Sequence, residues 1–156
     1  MKSWILFAIG FIVASSLSAQ EGRHSFVAGL GEMKATRGAA GMGGFFAYQR
    51  SDIFFTDKLN AQVGLTGDFD RNQVYHVAVG KSVSLNSWSI NFQAGPSVVF
   101  RQDDINDVLP GGYASIQNSL RLTASWDVGI QAFYNYAESV NLYGGHLFLK
   151  YKLSDR

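Results

Sequence analysis

The sequence predicts an all-β fold, an eight-stranded antiparallel up-and-down transmembrane β-barrel. Three observations predict it. Apolar and polar residues alternate with period two in segment after segment, aromatic residues gather near the segment ends, and the polar faces carry few charges.

The 156 residues suffice for one domain. Aromatic residues make up 14% of the chain and proline occurs only twice, a mix that suits strands, where aromatic and β-branched side chains fit a pleated surface. There is no cysteine, which excludes disulfides, thiolate metal sites, a catalytic thiol and a cysteine-linked lipid anchor. Without Lys2 the chain has 12 basic and 12 acidic residues, and no basic stripe of the kind nucleic-acid binding requires.

Residues 1–19 are expected to be a signal peptide and residues 20–156 the barrel domain. Lys2 precedes an apolar run from Trp4 to Val13, and the small, polar stretch Ala14-Ser15-Ser16-Leu17-Ser18-Ala19 supplies a cleavage region, with cleavage expected after Ala19. The run falls well short of the ~20 residues of a spanning helix.

Strands are expected at 24–32, 41–50, 58–69, 73–83, 88–101, 113–122, 126–136 and 143–153. The fifth sets Trp88, Ile90, Phe92, Ala94, Pro96, Val98 and Phe100 against Ser89, Asn91, Gln93, Gly95, Ser97 and Arg101, with Val99 the one apolar member of the polar face. The seventh sets Trp126, Val128, Ile130, Ala132, Tyr134 and Tyr136 against Asp127, Gly129, Gln131, Phe133 and Asn135. The third opposes Leu59, Ala61, Val63, Leu65 and Phe69 to Asn60, Gln62, Gly64, Thr66 and Asp68. The eighth opposes Leu147, Leu149, Tyr151 and Leu153 to His146, Phe148, Lys150 and Lys152. In the sixth, Asn118 shares a face with Ala114, Ile116, Leu120 and Leu122, and Tyr113 breaks the parity. Turn-type residues separate the segments at 34–40, 70–72, 85–87, 102–111, 123–125 and 137–141.

Alternation alone also fits a soluble barrel with its apolar face inward. Charge decides the direction. Only 16% of residues are charged, and the polar faces are mostly Ser, Asn, Gln, Thr and Gly, a thin coat for water but a suitable lining for a narrow lumen. If the first strand rises from the periplasm, Trp88, Trp126, Tyr48 and Tyr151 fall at the inner rim. Phe69, Phe100, Tyr136 and Tyr75 then fall at the outer rim, giving the two girdles of a membrane barrel. The inner segment Ser51–Asp57, with Ile53, Phe54 and Phe55, is long and apolar for a periplasmic turn.

These strands, the two girdles and the closing segment Gly144-Gly145-His146-Leu147-Phe148-Leu149-Lys150-Tyr151-Lys152-Leu153 resemble the small outer-membrane β-barrel family of the OmpA-transmembrane and OmpX type, often labelled porin-like. The likeness covers the whole mature chain. It implies the fold, outer-membrane lipid as surroundings and the barrel-assembly machinery as a partner during insertion, and little about activity. Such barrels usually end on an aromatic residue, whereas Ser154-Asp155-Arg156 follow Leu153 here, a departure that bears on assembly.

No catalytic, cofactor-binding or metal residues are assigned. His76, His146 and Ser82 share an inward face and His24 is the third histidine, but no compact Ser–His pair marks a nucleophile. Asp103, Asp104, Asn106 and Asp107 form an oxygen-rich cluster without the spacing of a calcium loop. Gly41-Met42-Gly43-Gly44 precedes a strand, whereas a phosphate cradle needs a helix N-terminus. Asp68, Arg101, Arg121, Asp127, Lys150 and Lys152 are expected to line the lumen and to pair into a plugging network.

The expected role is structural, adhesive or interactional, with the outer loops Lys34–Ala40, Gln102–Gly111 and Ala137–Asn141 as the surface for an extracellular partner. Two rival readings are an outer-membrane enzyme modifying lipid A and a soluble periplasmic, lipocalin-like ligand-binding barrel.

Overall fold

The computed structural model describes residues 24–36, 38, 40–53, 59–68, 72–101 and 104–153, with 104–107 described through their backbone alone. The expected signal peptide, Phe69 and most of the 51–57 segment lie outside the described residues.

Eight strands follow one another: β1 (His24–Ala35), β2 (Ala40–Ser51), β3 (Leu59–Asp68), β4 (Asn72–Leu85), β5 (Trp88–Arg101), β6 (Asp104–Arg121), β7 (Trp126–Ala137) and β8 (Leu142–Lys152). Each pairs antiparallel with its sequence neighbours, and β8 pairs with β1, so the sheet closes in the order of the sequence.

One row of paired residues measures the stagger. From His24 it passes through Arg50, Ala61, Val79, Ala94, Ala114, Tyr134 and Tyr143, and it meets β1 again at Lys34, ten residues further along the strand. Such a stagger obliges the strands to tilt. At about 3.4 Å per residue and a tilt of about 40°, an eleven-residue strand such as β8 rises about 28 Å, close to the hydrocarbon thickness of a bilayer.

The apolar face points out. Phe92 is 52% exposed, Ile130 57% and Leu147 69%, while Gln62 and Gln131, on the opposite faces of their strands, are buried. In water this arrangement would be inverted; in lipid it is the stable one. Trp88 and Trp126 are exposed at the rim that carries the first and last strand ends, where the Trp126 and Tyr151 rings lie 4.8 Å apart. At the far rim Tyr75 and Phe100 pack edge to face at 5.3 Å, with Tyr136 and Tyr143 exposed nearby.

Two expectations about β6 require correction. The strand begins at Asp104, so most of the presumed loop Gln102–Gly111 is strand. Pro110 and the Gly111-Gly112 pair read locally as a turn, but Phe100, Val99 and Val98 of β5 hold Val108, Leu109 and Pro110 in register. The last β6–β7 pair is Gly111↔Ala137, so Pro110 occupies an edge segment, where proline is tolerated. Tyr113 is the second correction: with the start moved back, it belongs to the inward set and is only 2% exposed. Asn118 does remain on the outward face with Ile116 and Leu120.

Closure depends on small residues at the last seam. Gly31 of β1 opposes His146 of β8, and a Cβ at Gly31 would lie 1.9 Å from the Gly145 carbonyl oxygen and 2.7 Å from the His146 Cα. Both obstacles are backbone and cannot swing aside. Gly31→Val is therefore expected to cost about 3 kcal/mol or to block assembly, read from urea unfolding of the refolded barrel in detergent micelles. A stability within about 0.5 kcal/mol of the parent would show that the seam is looser than this geometry.

Candidate functional site

The lumen is filled in successive zones rather than lined uniformly with polar groups. Toward the end of the β1–β2 and β7–β8 connections it is apolar: Met33, Val74, Val99, Ala137 and Leu142 form one buried cluster with Tyr113 and Phe133, and Leu109 and Val140 pack against it. Of the apolar exceptions on the inward faces, Val99 and Phe133 belong to this cap, whereas Phe148 belongs to a second buried cluster with Val27, Phe45 and Ala47.

An aromatic and imidazole zone adjoins the cap. The His76 and Tyr113 rings stack with centroids 3.8 Å apart and an interplanar angle of 7°. Phe133 stacks on His146 at 5.1 Å, and Phe45 touches the same imidazole ring at 5.2 Å. Gly64 makes room for this zone, because a Cβ there would lie 2.7 Å from His76 Nε2. Nothing in the sequence pattern singles out Gly64 from other inward small residues; only the cross-strand pair Gly64↔His76 reveals its role.

Below the rings lies a cluster of carboxamides. Gln49 Nε2 donates to Gln62 Oε1 at 2.6 Å and to Gln117 Oε1 at 2.7 Å, and Gln117 Nε2 donates to Gln62 Oε1 at 3.1 Å. Gln62 Nε2 lies 2.8 Å from His76 Nε2, which ties the amides to the stacked rings. A neighbouring set joins Gln93 Nε2 to Asn60 Oδ1 at 2.9 Å and Asn60 Nδ2 to Asn91 Oδ1 at 2.8 Å. Gln131 Nε2 donates to the Tyr113 hydroxyl at 2.5 Å. Carboxamides carry both donors and acceptors, so they satisfy one another without the desolvation cost of buried ions.

The charged residues do not form the single plugging network expected of them. Asp68 and Arg101 lie toward one end of the barrel, and Asp68 Oδ1 and Oδ2 accept from Asn72 N at 2.6 Å and Asn72 Nδ2 at 2.8 Å. Arg121, Asp127, Lys150 and Lys152 gather at the other end, where Lys152 Nζ binds Asp127 Oδ1 at 2.7 Å. Amides and aromatic rings fill the lumen between them.

The other singled-out residues are also placed. Ser82 Oγ accepts from Asn60 Nδ2 at 2.9 Å and donates to Asn91 Oδ1 at 3.4 Å, while His76 engages Gln62, so serine and histidine are not brought into nucleophile–base contact. His24 stacks on Tyr48 and hydrogen-bonds its hydroxyl at the rim. Gly41–Gly44 is part of β2, paired with β1. Asp103 lies outside the described residues, and Asp104, Asn106 and Asp107 are described only as β6 backbone.

No protein-family profile matches the chain, and no curated protein matches it. Solved structures do. Neisserial surface protein A aligns with a TM-score of 0.64 at 12% identity, over 87% of this chain and 100% of that one. The outer membrane protein OprG of Pseudomonas aeruginosa aligns at 0.64 and 8% identity, over 88% of this chain and 99% of that one. The fold is that of a small outer-membrane β-barrel. Ail, the attachment invasion locus protein of Yersinia pestis, shares it at a TM-score of 0.58 and 12% identity, over 86% of this chain and 100% of that one. Identities this low carry the barrel architecture and nothing of the lumen chemistry.

The amide cluster generates a direct test. Gln62→Ala removes the shared acceptor of Gln49 and Gln117 and the partner of His76. It is expected to destabilise the barrel by about 1–3 kcal/mol in reversible urea unfolding, because buried polar groups are left unpaired. A neutral result would mean that water replaces the amide freely and that the zone is open.

Proposed function

We propose that this chain is an outer-membrane barrel with a structural, adhesion or surface-interaction role, delivered by a cleaved leader over residues 1–19 and inserted by the barrel-assembly machinery. Closure of the lumen is the observation that carries this reading. The Gln49–Gln117 hydrogen bond joins the opposite strands β2 and β6, and the His76–Tyr113 stack bridges β4 and β6; an interior so filled suits a scaffold better than a pore. The outward apolar belt supports lipid as its surroundings, and a catalytic role has no support in the contacts of Ser82 and His76. The interactional part of the proposal rests on the β5–β6 hairpin. Its Asp104–Pro110 arm extends past the last β6–β7 pair and presents an exposed Val108. One of the similar structures, Ail, is by name an attachment protein, which agrees with a surface role.

Three measurements test the proposal. The mature chain is expected in the detergent-extracted membrane fraction, and the purified barrel is expected to give no stepwise conductance in planar bilayers. Recovery in the aqueous fraction would favour a soluble ligand-binding barrel, and discrete conductance steps would contradict the filled lumen. Replacing residues 101–108 by a two-residue turn is expected to leave urea stability within about 1 kcal/mol while abolishing any cell-surface binding the parent shows. Retained binding would move the interaction surface to another loop.

A further inference from the structure

The scaffold role leaves one feature of the lumen unused. At the end of the barrel that carries its first and last strand ends, the interior opens into a cup of about 170 Å³. Its walls differ in chemistry. On one side Arg121, Asp127 and Lys150 are direct cross-strand neighbours on β6, β7 and β8, and Lys152 is the next inward residue of β8. On the other side Asn60, Ser82, Ser84 and Ser89 present amide and hydroxyl groups.

Three cations therefore share one carboxylate. Asp127 takes Lys152 at 2.7 Å, and no second acid lines the cup among the described residues. Arg121 and Lys150 flank Asp127 in the row of paired residues and bring two positive charges that this carboxylate does not balance. Asp127 is buried and Lys150 half-buried, so water screens these charges less than it would on an open surface. An entering anion would meet two charge-assisted donors on one wall and neutral donors on the other.

Size and depth narrow the class of ligand. A water molecule takes up ~30 Å³, so the cup holds a group of a few heavy atoms and not a polymer. It has a floor: Asn60 is only 3% exposed and donates to both Ser82 Oγ and Asn91 Oδ1. A ligand would be held there and not passed through.

We propose that this cup binds a compact oxyanion, a phosphate or carboxylate group presented from the aqueous side. The probes are inorganic phosphate and acetate, titrated separately into the folded barrel in uncharged detergent micelles at constant ionic strength, by calorimetry and by phosphorus NMR for phosphate. Saturable binding in the millimolar range or tighter is expected for at least one of them, and the tighter of the two identifies the preferred group. Arg121→Gln and Lys150→Gln are each expected to weaken it about tenfold, while Lys34→Gln at the opposite rim leaves it unchanged. Arg121 is exposed, so its variant decides the question even if Lys150→Gln fails to fold. No saturable binding of either anion, or binding unaltered by Arg121→Gln, overturns the proposal.

Discussion

Inside a hydrocarbon layer an unpaired backbone N–H or C=O costs several kcal/mol, so a sheet that crosses it can have no free edge. Nearly everything in this molecule follows from that constraint. β8 must find β1, and it does so across a seam where Gly31 and Gly144 allow the two backbones to meet. With only eight strands the closed sheet encloses a narrow interior, and every second residue of every strand must fit into it. The outward half of each strand is left to the lipid, which explains why Phe92, Ile130 and Leu147 are exposed while Gln49, Gln62, Gln93, Gln117 and Gln131 are buried.

The narrow interior sets its own problem. It has to be filled with few polar groups left unpaired, and the chain does this differently at different depths, leaving both ring nitrogens of His146, Gln131 Oε1 and Asn135 Nδ2 buried without a hydrogen-bond partner among the described residues. Apolar side chains cap one end, where Asp68 and Arg101 also lie, stacked rings and carboxamides occupy the middle, and Arg121, Asp127, Lys150 and Lys152 gather at the opposite mouth. Neutral amides at the centre avoid the desolvation penalty that a central ion pair would carry. Placing the cations at the mouth also concentrates positive potential where the lumen opens into a cup, so the packing arrangement that closes the barrel also creates its candidate binding cup.

Much of this was legible in the sequence because period two is a direct statement about faces. Trp88–Arg101 and Trp126–Tyr136 could be assigned inward and outward residue by residue, and the girdles followed from strand direction. The boundaries failed where local chemistry and tertiary pairing disagreed. Pro110-Gly111-Gly112 has the composition of a turn, yet β5 keeps that stretch in the sheet; moving the strand start then accounts for Tyr113. The layering of the lumen was harder to see. Alternation marks Gln62, His76 and Gln117 as inward but does not reveal which inward residues share a depth, since that depends on the ten-residue stagger around the barrel. For the same reason alternation alone suggests a single network of inward charges, although the stagger places Asp68 and Arg101 far from Asp127 and Lys152. The role of Gly64 is visible only once His76 is known to lie opposite.

The direction of the side chains can be measured without solving another structure. The chain has no cysteine, so single cysteines at positions 129 to 134 of β7 can carry a fluorophore in the barrel reconstituted into lipid vesicles. Quenching by a spin label on the lipid acyl chains should alternate, strong at Ile130, Ala132 and Tyr134 and weak at Gly129, Gln131 and Phe133. Strong quenching at the odd-numbered positions, or no alternation, would contradict a barrel whose apolar face meets the lipid.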